Sequence, residues 1–190
     1  MKVLAIESSC DDTSFSVVSD DKSIDFIKTI NHRKFHKKHG GVIPEMAARQ
    51  HLDIMDYLQK SIKKFDFKKI DAIAATYGPG LIGGLIVGSS FAKGLSISRQ
   101  KKLIPVNHLQ AHLLSPRLTS NLSFPYLCLL VSGGNTALVL VKSPKKFVTL
   151  GSTIDDSAGE CFDKVSKALG LGYPGGPAIE KLALKGDRYK

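Results

Sequence analysis

Residues 3–18, VLAIESSCDDTSFSVV, carry the reading of the fold. Residues 3–7 form a short apolar strand, 8–13 a polar turn and 14–18 a second strand. A third strand at 24–30 follows across a hairpin turn made by Asp20, Asp21 and Lys22. The plan returns at YLCLLVSGGNTALVLV, residues 126–141, as a strand at 126–131, a glycine-containing turn at 132–136 and a strand at 137–141. A further strand at 147–151 and a helix at 159–169 complete the echo. Strand, polar turn, strand, strand, helix therefore occurs twice, a repeat of organisation without sequence identity.

Between the copies, Gly40-Gly41 closes a loop rich in His and Lys, and an amphipathic helix spans 44–64. Its apolar face is read as Met46, Ala47, Leu52, Met55, Leu58 and Ile62, with Pro44 where a helix begins. A buried strand at 70–76, a helix containing Gly83, Gly84, Gly88 and Gly94, a strand at 103–106 and a helix from about residue 107 follow. The first lobe thus reads βββαβαβα. The second copy continues with a loop at 172–177 and a helix from residue 178, then stops before its remaining βα units. A sheet ending there exposes an edge strand and an apolar face, so a truncated second lobe is expected. The expected division is a first α/β lobe at 1–107, a crossover helix at 108–123 and a partial second lobe at 124–190.

Hydrophobic residues make up 43% of the 190, enough for a buried core. The longest apolar stretch, 81–87, is short and interrupted by Gly83 and Gly84, so no membrane span is expected. Cys10, Cys128 and Cys161 are odd in number and widely spaced, a pattern that fits a reducing cytoplasm and no thiolate metal site. Net charge is +10, with lysines clustered at 34–41, 61–69, 99–102 and 143–146. A basic surface attracts polyanions by counterion release, although solvated helix faces explain the same charge equally well.

His108 and His112 in VNHLQAHLL lie four apart on one helix face, a spacing that suits two ligands of one metal ion. A zinc peptidase needs Glu directly after the first His, where this chain has Leu109, so peptidase chemistry is disfavoured. His32, His36, His39 and His51 are candidate third ligands without a spacing argument. Asp11 and Asp12, in the first polar turn, can hold a metal, position a water or bond a ligand; Asp11 is the candidate catalytic residue. In SGGN, residues 132–135, glycines let backbone N–H groups approach a phosphate, or else serve a tight hairpin through positive φ. No GK[ST] follows Gly78-Pro79-Gly80, which excludes a P-loop. GYPGGP, residues 172–177, has Gly or Pro at five of six positions and makes a shaped loop suited to backing a flat ring. Asp155, Asp156, Glu160 and Asp163 form an acidic cluster before it.

Six segments together resemble the tRNA threonylcarbamoyladenosine transferases (the TsaD family, once described as glycoproteases). They are ESSCDDTS (7–14), GGVIPEMAARQH (40–51), GPGLIGGLIVG (78–88), VNHLQAH (106–112), VSGGNTAL (131–138) and STIDDSAGECFDKVSKALGLGYPGGPAIEK (152–181). The resemblance implies an α/β fold of duplicated RNase H-like lobes, as in actin, sugar kinases and heat-shock ATPases, with the second lobe incomplete. It implies transfer of threonylcarbamoyl from threonylcarbamoyl-AMP to the exocyclic amine of the adenosine beside the anticodon, in tRNAs reading codons that start with A. His108 and His112 would bind one iron or zinc ion, iron being favoured. Val131, Ser132, Gly133, Gly134, Asn135, Asp163 and Gly176 would contact the adenylate. Glu180 stands where many relatives have the Asp that binds the ribose. Implied partners are tRNA, a paralogous scaffold subunit and a small ATPase subunit.

The chain departs from the family pattern with Asn135 for His and Asp12 for Glu, and the family's third metal ligand, an Asp, lies beyond the matched part. A non-catalytic scaffold paralogue or an inactive truncated copy is the rival reading, and the His pair stands against the paralogue. A kinase or ATPase of the same superfamily leaves that pair unexplained.

Overall fold

The computed structural model describes residues 1–32, 36, 41–62 and 66–187, with only the backbone described at Leu58, Gln59, Ser61 and Ile62. The lysine cluster at 34–41 and His39 lie almost wholly outside the described residues, as does part of the cluster at 61–69. The chain divides into two compact units, Met1–Phe35 with Val42–Ala111, and His36–Gly41 with His112–Lys190.

The first unit is built on a five-stranded sheet of β1 (Lys2–Glu7), β2 (Asp12–Ser19), β3 (Ile24–Asn31), β4 (Ala72–Gly78) and β5 (Lys102–Asn107), in the order β3-β2-β1-β4-β5. β1, β2 and β3 pair antiparallel, whereas β4 and β5 run parallel to β1. This is an RNase H-like lobe. Alternating apolar residues set the register: Leu4, Ile6, Phe15 and Val17 point inward and are at most 2% exposed. β4 is buried at every position from Ala72 to Thr76, as a parallel strand covered on both faces must be. The Phe91 ring packs edge-on to Phe15 with centroids 5.7 Å apart.

Two helices link the strands, α1 (Pro44–Ile62) and α2 (Ile82–Arg99). Ala47, His51 and Met55 form the inward stripe of α1, whereas Leu52, expected on that face, is 63% exposed. The correction has a physical cause: His51 finds a partner for each ring nitrogen inside, so its burial costs little. The side chains of Leu58 and Ile62 lie outside the described residues. The expected crossover helix at 108–123 is two helices, α3 (His108–Leu114) and α4 (Pro116–Thr119). Pro116 has no N–H to continue α3 and starts the next helix instead.

The second unit carries a three-stranded antiparallel meander, β6 (Tyr126–Val131), β7 (Thr136–Ser143) and β8 (Lys146–Ser152), with β7 central. Val139 and Val141 of β7 are buried. Two helices follow, α5 (Ala158–Ala168) and α6 (Gly175–Ala183). α6 begins three residues before the expected 178, because residues 175–177 are its first turn and proline is tolerated there. Gly170, at φ +69°, ends α5 in the left-handed conformation that glycine adopts without strain.

Candidate active site

β1, β4 and β5 run parallel, so their C-terminal ends share one edge of the sheet, where open α/β sheets bind ligands. β1 ends in Glu7, Thr76 lies near the end of β4, and β5 passes directly into His108. Glu7 Oε2 accepts a hydrogen bond from Thr76 Oγ1 and lies 3.4 Å from His108 Nδ1, while Glu7 Oε1 accepts the Ser9 N–H at 2.6 Å. Ser9 Oγ is 3.1 Å from the same His108 nitrogen. Burial pushes the Glu7 carboxyl up, but hydrogen bonds from His108, Ser9 and Thr76 outweigh it and hold the group at about 2.

The turn that carries Ser8 and Ser9 lies on a glycine face. A Cβ on Gly80 would stand 2.5 Å from Ser9 O, and one on Gly84 would stand 2.3 Å from Ser8 O. At Gly88 it would meet Ser8 Oγ at 2.0 Å. The Gly78–Gly88 segment is glycine-rich because the site's turn packs against its backbone. Ser8 Oγ donates to Gly84 O, and Leu81 N donates to Ser9 O, which fastens the turn.

His51 supports the turn from below. Its Nε2 lies 3.0 Å from Cys10 O, an acceptor only, so Nε2 carries the proton and donates. Nδ1 therefore accepts from Thr13 Oγ1 at 2.7 Å, and the Thr13 oxygen is left to accept from His32 Nε2 at 3.3 Å. His32 and His51, expected as possible metal ligands, belong to this buried structural chain; His36 is also buried. Asp11 and Asp12 sit at the junction of the turn and β2, where Asp11 O accepts the His32 N–H.

In the second unit, Ser132 N donates to Asn135 O and Asn135 N to Ser132 Oγ, closing the turn between β6 and β7. Its carbonyls face the start of α5: Gly159 N donates to Ser132 O, and Ser157 Oγ to Gly133 O. A Cβ on Gly159 would meet Ser132 O at 2.5 Å, so only glycine allows this approach. Neither Gly133 nor Gly134 has positive φ, so the tight turn between the antiparallel β6 and β7 forms without that conformation. A Cβ on either would meet nothing within 4 Å. Their backbone is thus open on the side where a side chain would project, as close approach of a ligand requires. Val131 is exposed at the turn's start.

Asp163 Oδ1 accepts the Gly175 N–H at 2.6 Å and ties α5 to the first turn of α6, which also carries Gly176. Glu180 is exposed further along α6. Asp156 and Glu160 both pair with Lys164, at 2.6 and 3.2 Å, so half of the acidic cluster is a surface ion-pair network.

Residues 26–190 match the family described as TsaD, tRNA N6-adenosine threonylcarbamoyltransferase. The chain belongs to this family. It is 50% identical to the tRNA N6-adenosine threonylcarbamoyltransferase of Orientia tsutsugamushi (strain Boryong) over its whole length, which is 56% of that protein. The Thermotoga neapolitana enzyme of the same name is also 50% identical over the whole chain, which covers 59% of its length. The solved structure of YeaZ from Pseudomonas aeruginosa is similar over 80% of this chain and 67% of that one, at 18% identity and a TM-score of 0.47. The chain thus spans a little over half the length of the threonylcarbamoyltransferases it matches. Its fold is α/β.

The threonylcarbamoyltransferase reading calls for a metal on α3, and the donor chemistry there fits one. His108 presents an imidazole whose Nδ1 faces a carboxylate, the arrangement that metal-ligating histidines commonly use, and His112 follows one helical turn later and is exposed. Among the described residues no group of three or more His, Cys, Asp or Glu is arranged to hold a metal. No helix among the described residues is long and apolar enough to cross a membrane.

Glu7, Ser9 and Thr76 were not singled out from the sequence. The available signal was positional: Glu7 and Thr76 stand at the ends of two predicted strands, which become parallel neighbours with their C-terminal ends together.

Proposed function

We propose that the protein containing this chain transfers a threonylcarbamoyl group from threonylcarbamoyl-AMP to the exocyclic amine of the adenosine beside the anticodon of tRNA. The observation that carries this reading is the 50% identity to threonylcarbamoyltransferases along the whole chain. The amine nitrogen attacks the carbamoyl carbon, the carbon–oxygen bond to the phosphate breaks, AMP leaves, and the amine gives up a proton. His108 and His112 would hold one divalent ion, iron in preference to zinc. When bound, such an ion supplies positive charge for the phosphate of the departing AMP. The open backbone of Gly133 and Gly134 would let N–H groups of residues 132–135 reach a phosphate, with Ser132 and Asn135 adding donors.

Asp163 shapes the adenylate end by fixing the first turn of α6, which carries Gly176, while Glu180 would reach the ribose. Asp11, in the turn beside Ser9, is the candidate for handling the amine proton. Partners on this reading are tRNA, a paralogous scaffold subunit and a small ATPase subunit, in the cytoplasm.

The test uses this sequence joined to the family's remaining C-terminal length and supplied with threonylcarbamoyl-AMP, its partner proteins and tRNA. Nucleoside analysis of the recovered tRNA should show threonylcarbamoyladenosine. The 190 residues alone should give little or none, because a metal held by two ligands is easily lost.

A further inference from the structure

We propose that Glu7 is a positioning residue that fixes His108 in the Nδ1–H tautomer, so that Nε2 presents its lone pair to the metal ion. The inference rests on the metal site proposed above.

The geometry leaves Glu7 little freedom. Ser9 N–H holds Oε1 at 2.6 Å, and Thr76 Oγ1 donates to Oε2. The carboxylate is therefore clamped between the turn that follows β1 and the neighbouring strand β4. Its Oε2, 3.4 Å from His108 Nδ1, is an acceptor only when ionised, so the nitrogen facing it must carry the hydrogen. Ser9 Oγ, 3.1 Å from Nδ1, is a second acceptor for the same N–H. Neutral imidazole has one N–H, so a proton on Nδ1 places the lone pair on Nε2. The helix start and the sheet edge thus set the ring's chemical state as well as its orientation, and Thr76 contributes by keeping Oε2 aimed. A Glu7 that merely tied β1 to β4 would influence stability and leave the tautomer alone.

The experiment reads the tautomer and metal affinity and uses neither tRNA nor the adenylate, so its failure is separable from failure of the transferase reading. Nitrogen NMR of the metal-free chain should show His108 protonated on Nδ1. In Glu7→Gln, whose amide can donate or accept, that preference should be lost, and zinc affinity in a competition titration should fall roughly 10–100-fold. Thr76→Val should shift both readouts in the same direction. An Nε2–H tautomer in the unaltered chain overturns the proposal, as does zinc binding by Glu7→Gln as tight as in the parent. Absence of zinc binding by the parent joined to the family's remaining C-terminal length overturns it together with the metal site. If Glu7→Gln fails to fold, the parent's tautomer and Thr76→Val decide, an unchanged tautomer and affinity in the latter counting against the proposal.

Discussion

Ser9 Oγ lies 3.1 Å from His108 Nδ1 although the two residues are 99 positions apart. The contact exists because β1 and β5 flank β4 in parallel, delivering the turn after one and the helix after the other to a single edge. Ser9 is held there by its own N–H on Glu7 and by its carbonyl on Leu81 N. The turn, the glycine face beneath it and the histidine behave as one packed unit, so substitutions in any of them should be felt in the others.

Gly84 and Gly94 lie on the same helix and should respond to alanine in opposite ways. A Cβ at 84 would meet Ser8 O at 2.3 Å and the His51 ring at 3.0 Å, whereas one at 94 meets nothing within 4 Å. Gly84→Ala should destabilise by about 1–3 kcal/mol through overpacking. Gly94→Ala should stabilise by roughly 0.5–1 kcal/mol through helix propensity. Urea midpoints of the two variants against the parent check the pair.

Glu7 makes acid stability informative. Its folded value of about 2 lies below its ordinary 4.5. Its stabilising contribution is therefore complete above the ordinary value and is lost as pH falls through about 2. Denaturation midpoints for the parent and Glu7→Gln, taken from about pH 6 downward, should converge only below about pH 4.5. A constant gap between the two down to the folded value would contradict the assigned hydrogen bonds.

Strand and helix order was legible because period-two and period-3.6 patterns are local properties of a chain. His51 was not legible as an inward residue. Its burial depends on Thr13 and Cys10 O, which another segment brings, while Leu52 beside it offered the stronger apolar signal. The start of α6 was misread because glycine and proline punctuate loops, yet both fit a first helical turn. Among the site residues, the His108–His112 spacing stood out as a local motif. Glu7 and Thr76 did not, since the partners are 69 and 101 positions apart in the contacts Thr76–Glu7 and His108–Glu7.

Thr13 is fully buried and donates to His51 Nδ1. Thr13→Val keeps the shape and removes that hydrogen bond, which should cost about 1–3 kcal/mol. Since His51 Nε2 holds Cys10 O, the loss should also loosen the turn at residues 8–11. Hydrogen exchange at those amides should accelerate in the variant, with β7 unaffected.

Arg99 stacks over Phe67 at 4.7 Å, a contact between the basic clusters at 99–102 and 61–69. If this basic patch meets tRNA phosphates, replacing Lys68 and Lys69 by Glu should weaken tRNA binding and flatten its dependence on salt. Adenylate binding should be unchanged. Equal salt slopes for parent and variant would place the tRNA elsewhere.

The most direct test of the transferase reading compares the extended protein with its His108→Ala variant in threonylcarbamoyl transfer to tRNA. His108 is partly exposed at the edge of the sheet, so its removal should leave the fold intact by circular dichroism. Turnover should fall sharply, by at least about 100-fold, since a metal site that loses one ligand loses most of its charge stabilisation of the leaving group. Modified nucleoside made at an undiminished rate by His108→Ala, or none made by the unaltered protein with all components present, would contradict the account.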